Sequence, residues 1–367
     1  MTGKNPDPLG LYIHIPFCHA RCGYCDFVTF TGKEDRIDDY VDDLCEEIRF
    51  YPPRIYVSTV FFGGGTPSVL DSRHVSQVLV AIRSHFAQSP DAEITLEANP
   101  ESITLEKARA WKEAGINRLS IGLQVFDNTL LKKIDRLHTV EEFLAAYQAA
   151  RQAGFDNVSI DLIYGFEDQT LESWQETLRS TLELNPEHFS LYALKIEENT
   201  PFAAKGLGVN DDLEADLYAW ARQYLSAEGY EQYEISNFAR PGKACRHNLL
   251  YWRQKDYLGL GAGAVGCVDG LRWENHKNLP DYHHDIVAGA LPRASTENLD
   301  PDTRRFERLM LGLRLREGLS WEESNPEWLS QRSALATRGL LEEIHPGRWR
   351  IPDSAVPLTN QVLLPFL

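Results

Sequence analysis

Six short apolar runs, each followed by an amphipathic stretch, occupy the first 200 residues and leave few folds open. The runs are LYIHI (11–15), VSTVFF (57–62), EITLEA (93–98), RLSIGLQ (118–124), NVSIDLIY (157–164) and HFSLYAL (188–194). Their length and their β-branched and aromatic content mark them as strands. Between them, Ile37, Tyr40, Val41, Leu44 and Ile48 share one helical face, as do Val75, Val78, Leu79, Ile82 and Phe86. Thr139 is placed to cap a further helix with Glu142 at its third position and Gly154 beyond its end. Six strand-then-helix units predict an α/β chain with a parallel sheet and right-handed crossovers, either doubly wound or curved into part of a barrel. Counting units does not separate the two.

After about residue 235 the pattern changes to short elements, including CRHNLLYW (245–252) and the Gly-rich GLGAGAVG (259–266). From Asp300 onward, a helix carrying Phe306, Leu309, Met310 and Leu313 leads to a hairpin, GLLEEI then RWRIP, turned by His345, Pro346 and Gly347. The expected organisation is a core over 1–235, a connector over 236–299 and a small winged-helix-like α+β unit over 300–367.

In parallel α/β folds ligands gather at the carboxyl ends of the strands, so the residues there carry the functional argument. Cys18, Cys22 and Cys25, spaced CxxxCxxC, follow the first run; Gly63, Gly64, Gly65, Thr66 and Pro67 follow the second. Glu97 ends the third, Gln124 ends the fourth and Asp161 lies within the fifth. Three clustered thiols fit a zinc site or three corners of a 4Fe–4S cluster. A structural zinc needs a fourth ligand, and neither His14, in a strand, nor His19, inside the loop, is well placed for it. The glycines allow close backbone approach and a nest of N–H groups, without the Lys-Ser/Thr of a Walker loop. Six cysteines in a chain whose polar start, MTGKNPDP, lacks an apolar signal segment read as metal or redox chemistry in the cytoplasm, with Cys45, Cys245 and Cys267 as ordinary thiols. A formal charge of −17 disfavours nucleic acid as a partner.

CxxxCxYC after the first strand and GGGTP after the second resemble the radical S-adenosylmethionine (SAM) superfamily. The resemblance implies a 4Fe–4S cluster on Cys18, Cys22 and Cys25, with the open iron chelated by the amino and carboxylate groups of SAM. It further implies reductive cleavage to a 5′-deoxyadenosyl radical and a partial (β/α)6 barrel of TIM type. YIHIPFC, FFGGGTPS, SIGLQVF, DLIYGF and HNLLYW together narrow the resemblance to the branch containing oxygen-independent coproporphyrinogen III oxidase and the heme chaperone HemW. By that resemblance Gly64, Gly65 and Thr66 contact the methionyl end of SAM, Glu97, Gln124, Arg136 and Asp161 bind its ribose and carboxylate, and Tyr12 and Tyr24 lie beside it.

Two departures weigh against the oxidase. Phe27 stands where the oxidase has a fourth Cys, and about ten residues precede Tyr12 where the oxidase carries an N-terminal extension. HNLLYW matches the HNxxYW element typical of HemW, which makes His247 a candidate heme ligand; the alternatives are a structural histidine beside Trp252, or ligation by Cys245. The expected function is heme binding and transfer to acceptor proteins; the alternative is radical decarboxylation of coproporphyrinogen III, and a zinc-binding structural protein is a third reading. The expected partners are heme, heme-accepting proteins and an electron donor for the cluster, and the reading allows a homodimer. GAGAVG fits GxGxxG, but it opens no βαβ unit and is expected to cap the cofactor instead.

Overall fold

The computed structural model describes residues 8–198, 200–205, 211–321 and 326–367, which leaves most of the polar N-terminal stretch outside the described residues. All six predicted strands form: β1 (Leu9–Ile15), β2 (Tyr56–Gly64), β3 (Ala87–Ala98), β4 (Arg118–Gln124), β5 (Val158–Tyr164) and β6 (His188–Ala193). They stand side by side in chain order and every neighbouring pair is parallel. A doubly wound sheet reverses its order at a switch point, so this unbroken order is that of a barrel wall.

The crossovers are α1 (Ile37–Phe50), α2 (Ser72–His85), α3 (Leu105–Ala114), α4 (Asn128–Lys133) with α5 (Val140–Gln152), and α6 (Leu171–Leu182). The apolar faces expected on α1 and α2 are the buried ones. Thr139 and Glu142 form a reciprocal capping box at the start of α5, and Gly154 follows its end at φ 89°. After β6 come α7 (Pro201–Ala204) and α8 (Asp211–Ala227).

The expected connector is more than a linker, because its strands, together with β7 just ahead of it, widen the sheet at both edges. β7 (Glu231–Gln232) and β8 (Asn237–Ala239) extend it antiparallel beyond β6. β9 (Tyr257–Leu260) pairs in parallel with β1, and β10 (Val265–Val268), β11 (Leu271–Asn275) and β12 (Arg293–Asn298) continue outward as an antiparallel meander. The Gly-rich loop joins β9 to β10, so it runs into a strand and lacks the following helix that a dinucleotide fingerprint requires. Between β8 and β9 lies α9 (Arg246–Trp252), which carries HNLLYW. It touches β1, β2 and β3 through Gly10, Thr59 and Glu93, which stand level in the sheet near the N-terminal end of β1, and so plugs the floor of the barrel.

Glu47 ties the widened edge to the barrel. This fully buried α1 carboxylate accepts from the Gly261 N–H (2.7 Å), the Asn275 side chain (2.8 Å) and the Tyr282 hydroxyl (2.7 Å) of α10 (Leu279–Val287). The C-terminal unit has its own core of Leu309, Leu313, Trp321, Leu335, Ile351 and Phe366. It combines α11 (Pro301–Gly312), α12 (Leu329–Thr337) and α13 (Thr359–Leu363) with an antiparallel sheet ordered β13 (Leu319–Ser320), β15 (Arg348–Arg350), β14 (Glu342–His345). The predicted hairpin is present with a tighter turn: His345 pairs with Arg348, leaving Pro346 and Gly347 as its two residues, with Gly347 at φ 76°.

Candidate cofactor site at the barrel mouth

The Cys loop leaves β1 at the carboxyl end of the sheet and is closed by the Phe30 N–H to Pro16 carbonyl bond (2.6 Å) and the Cys18 N–H to Phe30 carbonyl bond (3.0 Å). Its thiols are half-buried. Burial pushes Cys18 up to about 11 and raises Cys25, so these two thiols are neutral until a metal replaces their protons. Arg136 Nη1 reaches Cys22 Sγ at 3.6 Å, placing a cation where thiolate charge develops. Among the described residues no three His, Cys, Asp or Glu side chains converge as the ligands of one ion do. A 4Fe–4S cluster takes each thiolate on a different iron, so a spread triad of soft donors beside a cation fits it.

The glycine run lies against β1 with no room for side chains. A Cβ on Gly65 would sit 2.8 Å from the Phe17 carbonyl oxygen, 2.9 Å from that of Ile15 and 3.1 Å from Cys18 Sγ. Gly64, at φ 109°, would meet the His14 ring at 2.5 Å. The cradle is therefore bare backbone facing the Cys loop, and Thr66 Oγ1 lies 3.1 Å from Cys18 Sγ.

Most of the sequence-predicted residues meet here. The Gly64 N–H donates to Glu97 Oε2 (3.3 Å), and the Tyr12 ring lies against Gly63. Burial and then the charge of Asp161 raise Glu97 to about 8, and burial also raises Asp161. Gln124 ends β4 in the left-handed region, at φ 73°, a strained conformation of the kind stored at functional sites. Arg136 Nη2 donates to Asn99 Oδ1 and to the Gly122 carbonyl, both at 2.8 Å, while its Nε is buried without a partner. Burial opposes the Arg136 charge, but Tyr24, Cys22 and Glu101 outweigh it.

Two residues that hold the site together had no assigned role in the sequence reading. Asn99 bridges Arg136 and Thr66, donating to Thr66 Oγ1 at 3.2 Å; its position two residues after Glu97, still at a strand end, was the available signal. His14 Nε2 lies 3.2 Å from the Val28 carbonyl, to which it must donate, leaving Nδ1 to accept from the Tyr12 hydroxyl (3.0 Å). It therefore pins the far end of the Cys loop to β1. The Gly-rich loop also reaches this end, where Gly263 packs on Val28.

The model of the radical SAM superfamily matches residues 12–181. The heme chaperone HemW of Lactococcus lactis is 37% identical over 98% of this chain and 97% of its own length, and that of Haemophilus influenzae is 38% identical over 98% of both chains. The chain belongs to the HemW family. A second comparison gives the same architecture: the structure of coproporphyrinogen III oxidase (HemN) from Escherichia coli, described as a radical SAM enzyme, superposes with a TM-score of 0.85 at 26% identity, covering 98% of this chain and 90% of that one.

His247, the candidate heme ligand of this HemW-family chain, lies away from the mouth. It is buried on the floor, where a Cβ on Gly10 would lie 3.2 Å from its ring. The five residue steps of strand from Gly10 to Ile15 span ~17 Å. Both ring nitrogens are engaged, Nδ1 with the Thr59 hydroxyl (2.7 Å) and Nε2 with the Tyr251 hydroxyl (2.9 Å), and the ring stacks on Phe61. Burial and then the Arg118 charge hold it down at about 3, so it is neutral. Glu93 positions it by accepting from the Arg246 and His247 N–H groups, each at 3.0 Å, at the start of α9. Phe27 projects from the Cys loop 63% exposed.

Proposed function

We propose that this chain binds heme and passes it to acceptor proteins, with a 4Fe–4S cluster on Cys18, Cys22 and Cys25 and SAM held between the Gly64–Thr66 cradle and Glu97, Gln124, Arg136 and Asp161. The observation that carries the reading is the joining of the thiol loop, the glycine cradle and Arg136 at one barrel mouth, in a chain similar to heme chaperones along nearly its whole length. When bound, the cluster would supply one electron and SAM would accept it, which is radical chemistry. This chain's own residues orient them: Arg136 offsets thiolate charge, the cradle N–H groups meet polar oxygens, and the carboxylates of Glu97 and Asp161 accept from ribose hydroxyls. An electron donor for the cluster and a cytoplasmic setting belong to the same proposal; among the described residues no helix is long and apolar enough to cross a membrane.

The second reading, decarboxylation of coproporphyrinogen III, is favoured by the superposition with the oxidase and opposed by Phe27 in place of a fourth Cys. A paired experiment decides. Anaerobically reconstituted protein is titrated with heme and assayed for porphyrinogen decarboxylation. Stoichiometric heme uptake without decarboxylation supports the chaperone; decarboxylation without specific uptake makes the chain an oxidase.

His247 ligates iron only if it gives up a hydroxyl partner. Tyr251→Phe removes the partner of Nε2 at little cost in shape, so heme affinity is expected to rise by about three- to tenfold, the worth of one buried hydrogen bond. His247→Ala is expected to lower it. Unchanged heme spectra and affinity in both variants would place the axial ligand elsewhere and leave His247 a structural residue of the floor.

A further inference from the structure

Below the cofactor site, β4, β5 and β6 line the lumen with polar side chains in two rungs. The lower rung is Ser120, Ser159 and His188; the next is Gly122, Asp161 and Ser190. The Asp161 carboxylate accepts from Ser120 Oγ at both oxygens (3.0 and 2.8 Å) and from Ser159 Oγ at Oδ1 (3.0 Å), and Ser190 adds a further side-chain hydrogen bond to it. Ser159 Oγ lies 2.8 Å from His188 Nδ1, and His188 Nε2 lies 2.8 Å from the Tyr233 hydroxyl.

The directions of these bonds follow from counting protons. Ser159 has one hydroxyl proton and donates it to Asp161 Oδ1, so His188 Nδ1 must be the donor to Ser159. His188 is buried beside Arg118, both of which disfavour its protonation, so the ring is neutral. A neutral ring that donates from Nδ1 must accept at Nε2, so Tyr233 donates. The result is a one-way file, Tyr233 to His188 to Ser159 to Asp161. Its outer end is held from two sides: the Arg316 N–H donates to the Tyr233 carbonyl (3.0 Å), and the Asn248 side chain of α9 approaches the Tyr233 hydroxyl.

Stability alone does not call for this row. Apolar side chains of similar volume in a barrel interior are commonly as stable as a buried polar network, or more so, whereas a fully satisfied network fixes orientation. We propose that Tyr233, His188 and Ser159 are positioning residues for the cofactor: their file fixes which way the Asp161 carboxylate faces and thereby sets recognition of the ribose hydroxyls of SAM. The proposal rests on the reading that Asp161 holds the ribose.

The test is equilibrium binding to the anaerobically reconstituted protein, with S-adenosylhomocysteine and its analogue lacking both ribose hydroxyls as probes. Wild type is expected to prefer the intact ribose by about tenfold or more, as for hydrogen bonds to a charged group. His188→Leu cuts the file and is expected to bring the preference to about threefold or less. His188→Asn, whose amide nitrogen overlays Nδ1 and still donates to Ser159, is expected to restore most of it, which a merely space-filling role would not explain. Ser159→Ala tests the same link should His188→Leu fail to assemble a cluster. Wild-type preference in both His188→Leu and Ser159→Ala would overturn the proposal. Asp161→Ala separates the two layers: if it abolishes the preference while the file variants keep it, the ribose assignment stands and the file falls; if it keeps the preference, the ribose assignment itself is wrong.

Discussion

Single replacement of Cys18, Cys22 or Cys25 by Ser yields protein that, after anaerobic reconstitution with iron and sulfide, lacks the visible absorbance of a 4Fe–4S cluster. Serine is nearly isosteric, but its oxygen is a harder donor than thiolate and its proton is far harder to displace. The three thiols share one loop and one face: Cys18 lies on Thr66, Cys22 beside Arg136, and the Cys25 N–H donates to the Cys22 carbonyl at 3.1 Å. Cys45 on α1, Cys245 at the floor and Cys267 on β10 lie outside that loop, so their Ser variants keep the spectrum and the iron-to-sulfide ratio. An intact cluster spectrum in all three loop variants would refute the assignment, and zinc without sulfide would move the site to a structural class.

Loss of Glu47 is expected to be the largest change in stability. Glu47→Ala strips partners from the Gly261 N–H, the Tyr282 hydroxyl and the Asn275 amide in a fully buried space, a cost of about 3 to 5 kcal/mol. The tie also has a pH dependence whose sign is fixed. Burial raises Glu47 from 4.5 to about 7, so the folded chain holds its proton more tightly than the unfolded chain does. The resulting stability is full below about pH 4.5 and is lost as pH rises through about 7, on the order of 3 kcal/mol over that window. The thermal midpoint of wild type relative to that of Glu47→Gln should therefore fall between pH 5 and pH 8, a comparison in which the other titrating groups cancel. Glu234 and Glu97, raised by burial to about 7 and about 8, slope the same way, whereas His14, His188 and His247, lowered by burial, slope the opposite way below about pH 6.5. A difference between wild type and Glu47→Gln that grows as the pH rises over this range would contradict the assignment.

The barrel wall was legible because each strand is a local apolar run and each helix shows a single apolar face. Thr139 with Glu142 marked a helix start through contacts three residues apart, which a linear reading captures. The widening of the sheet was hidden for the opposite reason. β9 is four residues long and its partner β1 lies at the other end of the chain, so neither length nor periodicity signals the pairing. The Cys loop and the glycine run that faces it could be read from spacing, whereas the contacts of Asn99 and His14 depend on which loops fold onto them. Ser120, Ser159 and Ser190 each interrupt an apolar strand on its inner face, a repeated polar insertion that the hydrophobic pattern passes over. His247 was the hardest case. HNLLYW declares a motif, but only the packing of α9 under β1, β2 and β3 places it at the end of the barrel away from the thiols.

The parallel pairing of β1 with β9 also bears on how the chain is made. Gly10 faces Tyr257, which leaves the ribosome 247 residues later. At about 5–20 residues per second that interval is roughly 12 to 50 seconds. Throughout it one edge of β1 has no strand beside it, and the Gly263 packing that backs the Cys loop at Val28 does not yet exist. Non-local pairing of this kind is also slow to form once the chain is complete. The nascent chain thus presents its thiol loop without the backing at Val28 that the finished barrel supplies, and under the proposed cluster assignment that is the interval in which the loop is most open to iron and sulfide.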